Sequence, residues 1–240
     1  MDYQELNYGS LSRERELERS AAFPVLMRKV YTWMALALVI TGFTAYAVAT
    51  SPSLLRLISG NSYMMWVLFI AEFGLVIWLS SAINKLSLTM ATSLFILYSV
   101  LNGAVFSSIF FVYTMGNIAK VFFITAGTFA AMSLFGYTTK SDLTSMGKIV
   151  TMGLIGLIIA TLVNIFVKSS GLEFILSWLG VLIFVGLTAY DTQKIKTMFL
   201  EAPDAGETTQ KYALLGALSL YLDFINLFLY LLRLFGGRRD

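Results

Sequence analysis

Two residue types that carry much of protein chemistry are missing from this sequence, which has no cysteine and no histidine among its 240 residues. The missing cysteines exclude disulfide bonds and thiolate nucleophiles. The missing histidines exclude a Ser-His or Cys-His nucleophile pair and any zinc or haem held by histidine. Proline is also rare, with three residues at positions 24, 52 and 203, all outside the apolar runs. Long helices should therefore run unbroken.

Charged residues are scarce as well. They make up 13% of the chain, whereas 58% of the residues are hydrophobic and the mean hydropathy is +0.77. An average soluble domain is about 25% charged, so this composition is typical of a protein embedded in a lipid bilayer. The net charge of +3 is too small to indicate nucleic-acid binding, and no nucleic-acid partner is expected.

Apolar runs predict seven membrane-spanning helices after a polar tail at residues 1–29. The predicted helices cover residues 30–50, 62–84, 87–111, 118–138, 148–167, 172–195 and 212–235. Each has about the 20 residues needed to cross about 30 Å of hydrocarbon. The predicted fold class is therefore all-α, a polytopic membrane protein with a seven-helix domain at residues 30–236.

The polar segments predict topology. LSRERELERS (residues 11–20) favours a solvated tail over a short surface helix, and EAPDAGETTQ (residues 201–210) has the composition of a flexible loop. Lys and Arg are more numerous beside the helix ends on the tail's side, which predicts a cytoplasmic N-terminus. The arginines at positions 233, 238 and 239 favour a last helix that dips in and returns. Its length favours a seventh crossing, which we predict.

The seventh predicted helix carries one polar stripe. Five of its residues follow alternating steps of four and three positions and so share a face: Ser219, Asp223, Asn226, Tyr230 and Arg233. An ionised aspartate at mid-bilayer costs about 2.5 to 3.5 kcal/mol on insertion scales, so lipid is not what this face meets. We therefore predict that the C-terminal helix lies in the centre of the bundle.

Asp191, in FVGLTAYDTQKIK (residues 184–196), is the candidate partner of Asp223. A rise of 1.5 Å per residue places Asp191 about 7 Å before Lys196 and Asp223 about 14 Å beyond Leu214. Both then fall in the cytoplasmic half, and the carboxyl groups would meet if the last two helices pack antiparallel. Two other interpretations stay open: Asp223 as a buried residue that only fixes packing, and Asp191 as an interfacial residue.

Two carboxylates in contact cannot both ionise cheaply, so they would share a proton. The protonated pair would form a hydrogen-bonded clasp, and the ionised pair would repel itself apart or bind a cation. Oxygen ligands suit calcium, here weakly, because tight sites take six to eight oxygens. A weak site suits a permeating ion. The candidate ligands and ion-path residues are Asp191, Asp223, Ser219 and Asn226.

Further polar residues lie within the predicted spans. Glu72 is the third intramembrane acid, and it is either a protonated, hydrogen-bonded residue or part of the ion path. Asn102 with Gly103 is expected to serve close helix packing, and so are Ser107 and Ser108.

Three segments resemble the signature of the transmembrane Bax inhibitor motif family, in particular its bacterial inner-membrane branch. They are GYTTKSDL (residues 136–143), FVGLTAYDTQKIK and GALSLYLDFINLFLYLLRLFG (residues 216–236). The resemblance covers about residues 24–236. It implies seven helices with the last in the centre, in the bacterial inner membrane, and a pH-sensitive calcium leak governed by an aspartate pair that falls on Asp191 and Asp223. Some relatives place an arginine near this pair at the end of the second helix, where this chain has WLSSAINK with Lys85.

The expected function is therefore a calcium channel of the leak type, gated by pH, with calcium as the permeating ion and no cofactor. The alternative implied by the resemblance is a regulatory protein that binds a membrane-anchored AAA protease. A third class is an intramembrane aspartyl protease, which needs a Tyr-Asp pair on one helix and an Asp on the next. Tyr190 and Asp191 match the first part of this pattern. Its Gly-x-Gly before the second aspartate is replaced by Leu220, Tyr221 and Leu222. We expect that the chain is not an enzyme.

Overall fold

The computed structural model describes residues 3–59, 62–200, 202 and 206–237, with side chains from residue 23 onward except those at 59 and 62. Helices joined by short turns make up this part of the chain. They are α1 (Tyr3–Thr50), α2 (Pro52–Ser59), α3 (Ser62–Ala82), α4 (Leu88–Phe106), α5 (Ile109–Val112), α6 (Met115–Thr138), α7 (Thr144–Val167), α8 (Ser170–Leu200) and α9 (Glu207–Phe235). Seven segments of them are long and apolar enough to cross a membrane, which confirms the predicted all-α fold with seven spans.

The predicted and observed helix ends differ around the last connection. The α8 helix continues five residues past the predicted end at 195, and α9 begins five residues before the predicted start at 212. The predicted flexible loop at residues 201–210 is thus shorter, because residues 207–210 are helical. Of that loop, residues 201 and 203–205 lie outside the described residues.

The first helix also begins much earlier than predicted. Its backbone is helical from Tyr3 and includes Pro24, so residues 11–20, for which the sequence favours a solvated tail over a short surface helix, lie within this helix. The sequence supplies a reason, because Arg13 and Glu16, and again Glu16 and Arg19, are opposite charges three residues apart, a spacing that stabilises helices. The candidate membrane span within α1 covers Phe23–Thr50.

The third span is broken near its end, where one helix was predicted over 87–111. Ser107 Oγ donates to the carbonyl oxygen of Ala104 at 2.7 Å, and Ser108 Oγ donates to that of Val105 at 3.0 Å. Hydroxyls that bond the preceding turn compete with the helical hydrogen bonds, so α4 ends and the short α5 completes the span. The packing role predicted for Gly103 is confirmed, because a Cβ there would lie 2.6 Å from the carbonyl oxygen of Thr41 in α1.

The last helix is central, as predicted. The α9 helix is the most buried of the seven spans and packs against α8, α1, α6 and α4. It is continuous from Glu207 to Phe235, so it has the length to cross the membrane rather than dip in and return. At its centre the Tyr221 hydroxyl lies 2.7 Å from Thr41 Oγ1, which also donates to the carbonyl oxygen of Ser99 at 3.0 Å. This hydrogen-bonded group joins α9 to α1 and α4.

The α7 helix is peripheral. It is the least buried of the seven spans and packs chiefly on α8. Its outward face carries Ile155, Ile159 and Phe166, which are all exposed, as side chains that meet lipid tails should be. Together α7, α8 and α9 form a sequence of layers from the lipid side to the centre.

Candidate functional site

The packing of α8 on α9 sets the level of the two aspartates. The ring of Phe184 stacks on that of Tyr230, with centroids 5.9 Å apart. Asp191 lies seven residues after Phe184, and Asp223 lies seven residues before Tyr230. Because the helices are antiparallel, seven residues, or about two turns, lead from this contact to the same level on each helix. The two aspartates are therefore opposite each other along the bundle.

Both aspartates line one cavity of about 610 Å³ between α3, α4, α7, α8 and α9, which we call the aspartate cavity. The structure brings every predicted site residue to its wall: Asp191, Asp223, Ser219, Asn226 and Glu72. The predicted polar stripe of the last helix thus faces this space as far as Tyr230. Arg233, one turn further on, is exposed and is not part of the wall.

The Asp223 carboxylate is the most deeply buried acidic group of the cavity. Its side chain is 4% exposed, and its Oδ2 is buried without a hydrogen-bond partner. The half-buried Asp191 carboxylate is close enough to oppose a negative charge on Asp223 electrostatically. Among the hydrogen bonds of the described residues, none joins the two carboxyl groups. Two acids therefore line one cavity, and one carboxylate oxygen of this pair has no hydrogen-bond partner within the protein.

Ser219 and Asn226 flank Asp223 at one turn on either side and add neutral oxygens to the same wall. Asn226 donates its Nδ2 hydrogen to the carbonyl oxygen of Leu222 at 2.8 Å, so its Oδ1 is the atom that suits a cation. Within the described ranges, no three His, Cys, Asp or Glu residues converge. The described site thus combines a carboxylate pair with hydroxyl and amide oxygens, a set that favours hard cations over soft metals.

Glu72 enters the cavity from α3. It is 8% exposed, and its Oε1 is buried without a hydrogen-bond partner. On the neighbouring α4, Tyr98 and Asn102 also line the cavity. Asn102 was expected to serve packing only, but the four-residue spacing from Tyr98 puts both on one helix face, and this face meets the cavity. This four-residue spacing is the feature of the sequence from which the shared face of Tyr98 and Asn102 could have been predicted.

The basic residue beside the pair is Lys194 rather than Lys85. Lys85 is exposed in the turn after α3 and is not part of the cavity wall. Lys194 lines the cavity, and its ammonium group attracts the Asp191 carboxylate. Because Lys194 follows Asp191 by three residues on a helix, the sequence contained the signal for this proximity.

The signature segments in α8 and at the end of α6 hold each other in place. Gln193 accepts the backbone N–H of Leu143 at 2.8 Å and donates to the carbonyl oxygen of Ser141 at 2.9 Å. Lys196 Nζ donates to the carbonyl oxygen of Tyr137 at 2.7 Å. The polar residues of YDTQKIK thus have two functions: some anchor the turn between α6 and α7, and others face the aspartate cavity.

A second cavity, which we call the vestibule, opens on the face of the bundle that carries this turn. It measures about 1230 Å³ and lies between the turn after α6, the end of α8 and the start of α9. At its edge, Asp142 Oδ1 accepts the backbone N–H of Thr144 at 2.9 Å, and hydrogen bonds from Thr144 lower the pKa of the Asp142 carboxyl. Tyr190 and Lys194 line both the vestibule and the aspartate cavity.

Comparison with known proteins agrees with this architecture. A family model described as "Inhibitor of apoptosis-promoting Bax1" matches residues 24–240. "Inner membrane protein YbhL" of Escherichia coli is 51% identical over 221 residues, which cover 91% of this chain and 94% of that protein. An uncharacterized protein of Borreliella burgdorferi is 50% identical over 214 residues, covering 89% of this chain and 92% of the relative. A third, from Deinococcus radiodurans, is 38% identical over 231 residues and 96% of each chain.

The E. coli relative and the seven apolar spans together support a multi-pass protein of the inner membrane. The family model covers nearly all of the seven-span bundle, including all three signature segments and both aspartates of the cavity. The chain therefore belongs to the Bax inhibitor family.

Proposed function

We propose that this protein is a pH-sensitive leak channel for calcium, closed when Asp191 and Asp223 hold a shared proton and conducting when the pair is ionised. The observation that carries the proposal is the position of these two aspartates at one level and on the wall of one cavity, in two candidate membrane-spanning helices. An ionisable residue at such a depth marks an ion pathway or proton relay far more often than it serves packing.

The unsatisfied oxygen of Asp223 supports this assignment. Buried polar atoms nearly always have a hydrogen-bond partner, and an exception calls for an explanation such as a functional role or a bound water or ion. Asp223 Oδ2 has no partner within the protein, and Asp223 lines a cavity large enough for water and ions. A proton shared with Asp191 or a bound cation would satisfy it, and these are the two states that the gate requires.

The direction of the pH effect follows from charge. Two facing carboxylates repel when both are ionised, so the first proton binds readily and neutralises most of the repulsion. Lowering the pH favours this protonated, closed state. Raising the pH removes the shared proton, and the resulting pair of negative charges recruits a divalent cation from the cavity. Calcium flux should therefore rise with pH.

The set of ligands supports calcium as the ion. Carboxylate oxygens with the hydroxyl of Ser219 and the amide oxygen of Asn226 match the preference of calcium for hard ligands. Two carboxylates are too few for tight binding, and weak binding is what conduction requires, because the ion must also leave. In this proposal calcium is the permeating substrate, and no cofactor takes part.

The test is calcium uptake into proteoliposomes across a pH series, read with an enclosed calcium indicator. Flux through the unsubstituted protein should increase as pH rises, whereas Asp191→Asn and Asp223→Asn should abolish the pH response. Glu173→Gln is the matched control, since it removes an acid from the far end of α8, outside the aspartate cavity. Equal flux and equal pH response in both Asn variants and the control would refute the proposal.

A second experiment separates the leak from the alternative, regulation of a membrane-anchored protease. Residues 1–20 precede the first apolar span, which begins at Phe23, so their deletion leaves the seven-span bundle and its aspartate cavity in place. We expect calcium flux within about twofold of the full chain after this deletion. Loss of a protease-dependent phenotype with unchanged flux would favour the regulatory function for the tail, whereas loss of flux would contradict a pathway confined to the bundle.

A further inference from the structure

The vestibule and the aspartate cavity are separate spaces that share two wall residues, Tyr190 and Lys194. Both residues belong to α8, directly beside Asp191 and one turn beyond it. Residues that line both cavities lie at the boundary between them. We call Tyr190 and Lys194 the partition, and an ion moving from the vestibule to the aspartates would pass these residues.

The Tyr190 ring is held in the partition by a glycine. A Cβ at Gly147 in α7 would overlap this ring, so the ring rests directly on the glycine backbone. On the same helix, Thr144 lines the vestibule one turn before Gly147, and Thr151 lines the aspartate cavity one turn after it. The contact between Tyr190 and Gly147 thus lies at the boundary between the two spaces.

Lys194 adds a positive charge to the same boundary. Its ammonium nitrogen lies 6.0 Å from the centroid of the Tyr190 ring, within the range of a cation–π interaction. It also attracts the Asp191 carboxylate three residues earlier. The Lys194 ammonium therefore lies near the carboxylate that a calcium ion would have to approach, and it would repel that ion.

We propose that Tyr190 and Lys194 are the inner gate of the vestibule, in which the tyrosine ring blocks the passage sterically and the lysine ammonium competes with an incoming cation for Asp191. An ion reaches the aspartates only when the ring leaves its seat on Gly147 and the ammonium swings away from the carboxylate. The role of the gate in conduction rests on the proposed function. The partition itself limits how fast a solute reaches the aspartate cavity from the vestibule. This rate can be measured without calcium.

Because the sequence has no cysteine, a thiol reagent would label only a cysteine that is introduced on purpose. Ser219→Cys places a thiol of nearly the same size on the wall of the aspartate cavity. The probe is a membrane-impermeant trimethylammonium methanethiosulfonate, applied to right-side-out and to inside-out vesicles. Rates are normalised to labelling by an uncharged, membrane-permeant maleimide, which corrects for changes in thiol reactivity or folding.

Two substitutions should open the gate, and each has a matched control. Lys194→Met keeps most of the length of the side chain but removes its charge, whereas Lys148→Met makes the same change at a lysine outside both cavities. Gly147→Ala forces the Tyr190 ring from its seat, whereas a Cβ at Gly156 of the same helix meets nothing within 4 Å. We expect Lys194→Met and Gly147→Ala to raise the labelling rate from the vestibule side about tenfold, and the controls to leave it unchanged.

A second reagent shows whether Lys194→Met acts by removing the positive charge or only by removing side-chain volume. An anionic sulfonatoethyl methanethiosulfonate should gain less than the cationic reagent in Lys194→Met, because only the cation competes with the ammonium for Asp191. Equal gains for both reagents would overturn the role of the charge. Labelling rates that match the controls in both Lys194→Met and Gly147→Ala would overturn the gate. If the gate responds as expected while the Asn variants of the pair show unchanged calcium flux, the proposed function fails and the partition stands.

Discussion

Buried polar side chains in this protein fall into two groups that differ in hydrogen bonding. Thr41, Ser99 and Tyr221 are buried at the meeting point of α1, α4 and α9, and each hydroxyl has a partner: those of Thr41 and Tyr221 bond each other, Thr41 also donates to the backbone carbonyl of Ser99, and Ser99 Oγ donates to that of Phe95. Asp223 and Glu72 are buried to a similar extent, but each keeps a carboxylate oxygen without a partner. Satisfied groups stabilise a fold, whereas unsatisfied ones reduce its stability and persist where function needs them. The two groups should respond to substitution in different ways.

Substitutions in the satisfied group should affect stability and show coupling. Thr41→Val leaves the Tyr221 hydroxyl and the Ser99 carbonyl without their partner, which should cost about 1–3 kcal/mol of unfolding free energy. The double variant with Tyr221→Phe should cost about 1 kcal/mol less than the sum of the single variants, because both remove one bond. Denaturant unfolding in detergent measures all three. Thr161→Val, whose hydroxyl bonds only within α7, is the control, and strict additivity would contradict the coupling.

Substitution of the unsatisfied Glu72 should affect ion flux more than stability. Glu72→Gln keeps the shape of the side chain but removes its charge from the wall of the aspartate cavity. Removing one charge several ångströms from the ion weakens attraction by on the order of 1 kcal/mol, so calcium flux should fall by roughly fivefold. The measurement is flux per reconstituted protein at fixed pH. A fall in the unfolding midpoint with unchanged flux would instead assign Glu72 to helix packing.

At the scale of helices, small residues decide where two elements touch. Gly136 of α6 lies against the backbone of Ala189 in α8, where a Cβ would overlap the Ala189 carbonyl oxygen. Gly180 of α8 accepts the ring of Tyr230, since a Cβ there would lie 2.6 Å from its atoms. Such contacts bring helices closer than larger side chains allow, as is usual where no hydrophobic force acts between spans. The glycine of GYTTKSDL therefore sets the distance between α6 and α8.

A matched pair of glycine substitutions in α6 tests this conclusion. Gly136→Ala should push α6 away from α8 and lower the unfolding free energy by about 1–3 kcal/mol, the usual effect of overpacking. Gly127→Ala introduces the same methyl group where nothing lies within 4 Å, and it should be neutral or stabilise by up to about 1 kcal/mol through helix propensity. Thermal unfolding in detergent distinguishes them. Equal midpoints for the two variants would show that the close contact does not limit stability.

Features that depend on residues close together in the chain could be predicted from the sequence. Features that depend on contacts with other helices could not. Hydrophobic runs predicted all seven spans, and the steps between Ser219, Asp223 and Asn226 predicted the face that meets the aspartate cavity. Side-chain competition at Ser107 broke the third span, which hydropathy does not register. The partition at Tyr190 was also hidden, because it depends on Gly147 of another helix. Periodicity places a residue on a face, but it does not say which neighbour that face meets.

The turn between α3 and α4 shows how distant segments fix one another. Tyr212 donates to Asn84 Oδ1 at 3.1 Å, and Lys211 Nζ donates to the carbonyl oxygen of Leu86 at 3.0 Å. Glu207 Oε1 accepts the backbone N–H of Leu88 at 3.1 Å. Three residues of the first turns of α9 thus hold a turn more than a hundred positions earlier in the chain. The central helix is therefore anchored at the same face of the bundle as the vestibule.

At the scale of the whole molecule, an odd number of spans places the two chain ends on opposite sides of the membrane. With the N-terminus in the cytoplasm, as the distribution of Lys and Arg predicts, the end of α9 lies outside. Green fluorescent protein fused to the N-terminus should fluoresce, and alkaline phosphatase fused after residue 237 should be active, because each reporter works on one side only. Inactive phosphatase together with a fluorescent N-terminal fusion would contradict seven crossings. The reverse fusions serve as controls.

If the protein conducts as proposed, the peripheral position of α7 gives the surrounding lipid a part in conduction. This helix packs chiefly on α8, yet it supplies Gly147 beneath the Tyr190 ring and Thr151 to the aspartate cavity. A small outward tilt of α7 would widen both spaces and release the ring, at the cost of its contacts with α8. Those contacts and the lateral pressure of the acyl chains both resist the tilt. In the proposed channel, bilayer thickness and tension would then act on the passage in addition to protons.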